Sequence, residues 1–283
     1  MKKLNKKIGL IGAGNMGEAF AGAIIQSGIA DPARVYISDV SEERLDILSR
    51  TYGVCGMTDN LKLFSQCDIV IIAVKPQQID QLLSQIAAQQ NYAVPERKLV
   101  ISIAAGVSIQ KIENLLYTSL DEKDREKLPV IRVMPNTPAL VLAGMSGMSP
   151  NSHATAEEIE IARTILEAMG KVIEFKEKDL DAVTALSGSG PAYVFYLIES
   201  MIAAGIELGL DGEDSETLTL ATLKGALKLM EEKNESPEVL RRKVTSPGGT
   251  TEAAFKVLEG NRVKERIVEA IVAAANRSKE LSV

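Results

Sequence analysis

Ile8-Gly9-Leu10-Ile11-Gly12-Ala13-Gly14-Asn15-Met16-Gly17 is the stretch on which the reading of the fold turns. Its first four residues are an apolar, strand-like run, and residues 12–17 match G-x-G-x-x-G. Alone the pattern is weak, because many glycine-rich turns match it by chance. Here it follows a strand, opens a helix over residues 15–27 and heads a βαβ unit, which is the context that gives it meaning. The first glycine permits a tight turn, the second lets a pyrophosphate approach the backbone, and the third lets the helix pack on the sheet. The helix N-terminus adds positive potential. The expected ligand is therefore a dinucleotide, held by Ile11, Gly12, Ala13, Gly14, Asn15, Met16 and Gly17.

Outward from this point, short apolar runs alternate with amphipathic segments. Val35-Tyr36-Ile37-Ser38 reads as a second strand, followed by a helix opened by Ser41-Glu42-Glu43. Residues 69–74 are a continuous apolar run, as in a parallel strand buried on both faces, and residues 99–103, apolar but for Ser102, are another. Residues 130–134 form a further strand, stopped by Pro135. Strands alternating with helices predict an α/β fold with a Rossmann-like, doubly wound sheet over residues 1–175. Asp39, at the end of the second strand, stands where an acid binds the adenosine ribose. A carboxylate there accepts from a 2′-hydroxyl and repels a 2′-phosphate, which favours NADH; the alternative is that it only caps the next helix.

From residue 176 the texture changes to helices over residues 191–210, 215–233 and 250 to the C-terminus, separated by turns such as Leu210-Asp211-Gly212 and Ser236-Pro237. The 191–210 segment is apolar nearly all round, despite Glu199 and Glu207. Such a helix needs cover on every side, and a short domain supplies little of it. Residues 176–283 are thus expected to be an all-helical domain completed by another subunit.

Composition bounds the function. Hydrophobic residues make up 46% and charged residues 25%, a balance that fills a sizeable core. A net charge of −6 gives no electrostatic reason to expect nucleic acid, and 4% aromatics give no stacking platform for bases. Cys55 and Cys67 lack metal-ligand spacing and read as free, partly buried thiols; no metal site is expected. The basic start, Met1 to Lys7, lacks a long apolar region and a cleavage site, so no signal peptide is read. The glutamates at 199 and 207 argue against a membrane span. A cytoplasmic protein is expected.

Five segments then match one family in order across nearly the whole chain: residues 12–17; Ala73-Val74-Lys75-Pro76; Arg132-Val133-Met134-Pro135-Asn136-Thr137-Pro138; Leu186-Ser187-Gly188-Ser189-Gly190-Pro191-Ala192-Tyr193; and Val244-Thr245-Ser246-Pro247-Gly248-Gly249-Thr250-Thr251. Together they resemble pyrroline-5-carboxylate reductase, the last being the most diagnostic. The resemblance implies a Rossmann domain followed by a helical dimerisation domain, often assembled into larger rings such as decamers. It implies reduction of 1-pyrroline-5-carboxylate to L-proline with NADPH or NADH, the last step of proline biosynthesis. By the same carry-over, Asn60, Ala73, Val74, Lys75, Pro76, Ala104, Ala105 and Gly106 would line the cofactor. Ser246, Gly248, Gly249, Thr250 and Thr251 would hold the substrate. Many members favour NADPH and carry small or basic residues near the end of the second strand, a pattern from which Asp39-Val40 departs.

The residue types suit that chemistry. The substrate is a small ring with one carboxylate and one C=N bond. Residues 246–251 offer backbone N–H groups from consecutive small residues at a helix N-terminus, and their two glycines allow close approach. Hydride transfer requires the imine carbon to be held against the nicotinamide, so positioning matters more than acid catalysis. Thr251 is the expected catalytic residue, as a hydrogen-bond partner of the imine nitrogen; its high pKa leaves water or protonated substrate as the proton source. His153, the only histidine, lies in a polar run and reads as a surface-loop residue. Lys75 reads as part of a strand-to-helix turn. A β-hydroxyacid dehydrogenase would need an interdomain lysine that residues 187–191 do not supply. A non-catalytic nucleotide sensor would not need the 246–251 loop.

Overall fold

The computed structural model describes residues 3–89 and 92–281. Met1 and Lys2 of the basic start, and the last two residues of the C-terminal helical run, lie outside the described residues. Two compact units result: residues 1–189 with 274–283, and residues 190–273.

The first unit is built on one sheet of eight strands in the order β3-β2-β1-β4-β5-β6-β7-β8. Six strands run parallel: β1 (Ile8–Ile11), β2 (Val35–Ser38), β3 (Cys55–Met57), β4 (Ile69–Ile72), β5 (Leu99–Ser102) and β6 (Val130–Met134). Their order reverses at β1/β4, the doubly wound arrangement whose ligands bind at the carboxyl ends of the strands, at that switch point. β7 (Gly144–Pro150) pairs antiparallel with β6, and β8 (Gly170–Glu174) pairs parallel with β7. The runs expected over 69–74 and 99–103 are shorter as strands, ending at Ile72 and Ser102, although Ala73 N and Ile103 N still donate to Ile11 O and Ile72 O of the neighbouring strands. β3, β7 and β8 were not expected from the sequence.

The period-two alternation sorts side chains onto two cores. Leu10, Ile71, Ile101 and Ile131 face one side with Phe20 and Ile24 of α1 (Asn15–Gln26). Ile11, Val70, Ile72 and Val100 face the other, with helices α3 (Asn60–Gln66), α4 (Ile79–Ala87) and α5 (Ile109–Leu116). α2 (Glu42–Tyr52) starts at Ser41, whose hydroxyl accepts from Arg44 N. α6 (Glu122–Glu126), α7 (Ala156–Glu167) and α8 (Leu180–Val183) complete the unit, followed by a π-type turn over Thr184–Gly188. Cys55 and Cys67 are free, and burial pushes the Cys67 thiol up to about 12, so it is inert at neutral pH.

The second unit contains α9 (Gly190–Glu207), α10 (Gly212–Lys233), α11 (Pro237–Lys243) and α12 (Thr250–Gly260). α13 (Val263–Leu281) begins in it and ends in the first unit. The single helix expected from residue 250 onward is two, because Arg262 adopts a left-handed backbone, φ 53°, after Gly260-Asn261. No helix among the described residues is long and apolar enough to cross a membrane.

Candidate functional site

The glycine loop joins β1 to α1 at the carboxyl edge of the sheet. Gly12 has φ +110°, and a Cβ there would lie 2.7 Å from the Ala73 carbonyl oxygen. A Cβ on Gly17 would run into the Gly12 carbonyl. Gly14 differs: nothing lies within 4 Å of where its Cβ would be. Gly14 is also the N-cap of α1 in extended backbone, with no side-chain cap. The first N–H groups of α1 thus have no side-chain acceptor, which suits an anion placed over Gly14.

A cavity of ≈ 600 Å³ opens here, lined by Gly12, Gly14, Asp39, Asn60, Ala73, Val74 and Lys75 among the residues expected from the sequence. Val40, Gln78, Gln81 and Gln85 line it too and were not expected. The last three share one face of the turn and helix that follow Pro76, at spacings of three and four residues, a signal present in the sequence. Ile11, Ala13 and Gly17 are buried in the loop itself, with Asn15 exposed and Met16 half-buried. Pro76 opens the 3-10 turn Pro76–Gln78, with exposed Lys75 as its N-cap. Ala104, Ala105 and Gly106 form the turn after β5 on the same sheet edge, outside the residues lining that cavity. The open space over Gly14, the uncapped helix and the hydrogen-bonding carboxylate fit a dinucleotide.

Asp39 does not cap α2; Ser41 does. Its Oδ2 accepts from Ala13 N at 2.7 Å and its Oδ1 from Ser41 N at 3.0 Å, which fixes the carboxylate at the cavity wall. Arg44 holds the other side of the same residue: its Nε and Nη2 donate to the Ala13 carbonyl at 3.1 and 3.0 Å. Nη2 also meets Glu18 Oε2 of α1 at 2.7 Å. Neither Arg44 nor Glu18 stood out in the sequence.

In the second unit, residues 246–251 form one compact feature. Gly249 N donates to Ser246 O at 3.0 Å across Pro247-Gly248, and Gly248 has φ +72°. Proline then glycine at the two central positions is what a type II turn demands. Gly249 is the N-cap of α12 without a side-chain cap, and Thr250 and Thr251 are its first two residues. Thr245 Oγ1 donates to Arg241 O at 2.7 Å, tying the turn to α11. Glu252, which the sequence did not mark, turns back so that its Oε2 accepts from Gly248 N at 3.0 Å.

Two connections tie motif residues within the first unit. Asn136 Nδ2 donates to Ser187 O and Oγ at 3.3 and 3.2 Å, while its Oδ1 accepts from Met145 N. Buried Arg132 meets Glu177 at 3.1 Å, and the same Glu177 oxygen accepts from Ile109 N at the start of α5. His153 is half-buried in its loop, edge-on to the Tyr117 ring at 5.9 Å. Among the described residues, no group of three or more His, Cys, Asp or Glu is gathered as a metal site.

Comparison with known proteins gives two family matches: pyrroline-5-carboxylate reductase dimerisation over residues 177–281, and NADP oxidoreductase coenzyme F420-dependent over residues 7–106. Pyrroline-5-carboxylate reductase 2 of Bacillus subtilis is 40% identical over 277 residues, covering 98% of this chain and 95% of that protein. The Corynebacterium melassecola pyrroline-5-carboxylate reductase is 39% identical over 97% of this chain and 98% of its own length. The solved Plasmodium falciparum pyrroline carboxylate reductase with NADP bound superposes with a TM-score of 0.86 at 32% identity, covering 100% of both chains.

Proposed function

The chain belongs to the pyrroline-5-carboxylate reductase family, and from that premise we infer that it reduces the cyclic imine 1-pyrroline-5-carboxylate to L-proline with NADPH or NADH. The observation that carries the reading is likeness along the whole chain, from the glycine loop at one end to the 246–251 turn near the other. The bound reduced nicotinamide supplies the hydride. The protein's part is to bind, orient and exclude water.

The cofactor is assigned to the cavity over Gly14, with residues 11–17, Asp39, Asn60, residues 73–76 and residues 104–106 around it. The substrate carboxylate is assigned to residues 246–251, where the uncapped start of α12 presents the N–H groups of Thr250 and Thr251 beside the turn. Thr251 is assigned to the imine nitrogen as a hydrogen-bond partner. A threonine hydroxyl is a poor proton store at neutral pH, so the amine proton comes from protonated substrate or water. The division of labour is placed at 175/176: a dinucleotide-binding domain before it, and a helical dimerisation and substrate domain after it. The protein is a homo-oligomer; we assign it a dimer as the basic unit, of the kind that builds decamers, and a cytoplasmic location.

Initial rates with NADH and NADPH on pyrroline-5-carboxylate and on its six-membered homologue test this directly. Steady, substrate-dependent oxidation of cofactor with proline as product is expected. Tight nucleotide binding without turnover of either imine would leave a sensor and remove the enzyme reading.

A further inference from the structure

Two side chains of opposite charge grip one residue of the glycine loop: Asp39 takes the Ala13 N–H, and Arg44 takes the Ala13 C=O. Asp39 stands at the carboxyl end of β2 and lines the cavity over Gly14, where the adenosine 2′ position of a dinucleotide falls; Arg44, in α2, is joined to it through Ala13 and lies just outside the residues lining that cavity. A carboxylate there suits a 2′-hydroxyl, and a guanidinium suits a 2′-phosphate. This chain has both, and what separates their availability is Glu18. Its carboxylate meets Arg44 Nη2 at 2.7 Å and holds the guanidinium back on α1. Arg44 and Glu18 are each about one-third exposed, so the latch is accessible and can be broken. Val40, largely exposed beside Asp39 at the cavity wall, offers no charge of its own.

We propose that the Glu18–Arg44 pair sets cofactor selectivity: latched, it leaves the 2′ position to Asp39 and favours NADH; released, Arg44 turns to a 2′-phosphate and admits NADPH. This rests on the assignment of the cavity over Gly14 as the dinucleotide site. Glu18 and Arg44 are specificity-determining and positioning residues, with no role at the reacting atoms.

The test uses the full-length protein and two probes that carry the difference without the nicotinamide, 5′-AMP and adenosine 2′,5′-bisphosphate, titrated by calorimetry. Wild type is expected to bind 5′-AMP more tightly. Glu18→Gln removes the ion pair without changing side-chain size, leaving Arg44 held only by neutral hydrogen bonds, chiefly to the Ala13 carbonyl, and should raise the affinity for the bisphosphate about tenfold relative to that for AMP. The ratio of kcat/KM for NADPH over NADH should move the same way. In Glu18→Gln/Arg44→Met the gain should vanish. Thermal melts of each variant show that the fold survives. A relative affinity unmoved by Glu18→Gln, or a gain that persists without Arg44, overturns the proposal. Gly14→Val separates this failure from that of the underlying assignment. If AMP binding survives a side chain placed in the cradle, the cofactor site itself is elsewhere. If AMP binding is lost there while Glu18→Gln changes nothing, only the latch is wrong.

Discussion

A methyl group placed on Gly17 or on Gly14 meets opposite surroundings. On Gly17 it collides with the Gly12 backbone, so Gly17→Ala should destabilise by about 1–3 kcal/mol through overpacking. On Gly14 it meets empty space in ordinary extended backbone. Gly14→Val should cost no more than about 1 kcal/mol, from a poorer N-cap, and yet weaken NADH binding at least about tenfold. Melting curves beside fluorescence titration of NADH check both; a valine variant that binds NADH normally would sink the pyrophosphate assignment. At Thr251 the expectation is reversed, with chemistry lost and fold kept. Thr251→Ala should lower kcat about tenfold or more, whereas Thr251→Ser, which keeps the hydroxyl, should retain most of it. Equal losses in the two variants would move the role to the backbone amides of the loop. These residues were legible because glycine, proline and threonine patterns state backbone geometry and donors outright. Arg44, Glu18 and Glu252 were not, because an ordinary charged side chain on a helix gives no sign of which neighbour it will reach.

At the scale of elements, the buried parallel strands could be read from their apolar runs, α1 from the glycine motif that opens it, and α2 from its Ser41-Glu42-Glu43 start. β7 could not: residues 144–150 hold two glycines, two serines and no β-branched residue. It is a strand because β6 and β8 supply partners on both sides, and its glycines stand where neighbours crowd in. A Cβ on Gly144 would lie 2.9 Å from the Met169 carbonyl oxygen. The three-residue β3 is too short to show a period. The break before α13 was written in Gly260-Asn261, but the amphipathic pattern on either side masks it. A different tie joins α7 to the amino-terminal end of β5. Arg97 donates to both oxygens of Glu158 at 2.6 and 2.9 Å, and to the carbonyls of Glu126 and His153. Glu158 also closes the capping box with Thr155. Burial alone would raise the Glu158 carboxyl, but the hydrogen bonds from Arg97 and Thr155 outweigh it and hold it below its ordinary 4.5. A depressed folded-state value means that the carboxylate's contribution is complete above about pH 4.5 and is lost as pH falls through the folded value. Glu158→Gln should therefore cost about 1–2 kcal/mol at neutral pH, discounted for the partial exposure of Arg97. It should also flatten the loss of stability as pH falls below about 4.5. Urea midpoints across that range measure it, and parallel pH curves for the two proteins would refute it.

At the scale of the molecule, α9 states what a single chain lacks. None of its 18 residues is buried within one chain. Four consecutive positions, Val194, Phe195, Tyr196 and Leu197, are 50%, 58%, 73% and 50% exposed. Consecutive residues on a helix point about 100° apart, so these four look in nearly every direction around the axis. One neighbour cannot cover them. α10 takes one side closely, since a Cβ on Gly205 would lie 2.5 Å from Ser215 Oγ, and the remaining sides need helices from elsewhere. Fully burying one such side chain contributes about 1.5–3 kcal/mol, so the exposed halves of these four amount to roughly 3–6 kcal/mol awaiting a partner. That demand was readable in the sequence as a helix apolar all round, while the surface expected to meet it, on a second copy, left no mark in the pattern. The wild-type protein should sediment at micromolar concentration as a dimer or a multiple of one, through an interface above about 2,000 Å² in total. Tyr196→Asp places a charge on the most exposed of the four and should shift the equilibrium toward monomer, lowering the melting temperature and making it depend on protein concentration. Turnover should fall with the dimer fraction, and raising the concentration should restore both together. A wild-type chain that sediments as a folded, fully active monomer at micromolar concentration would show that α9 is covered from within, and that the second copy is not needed.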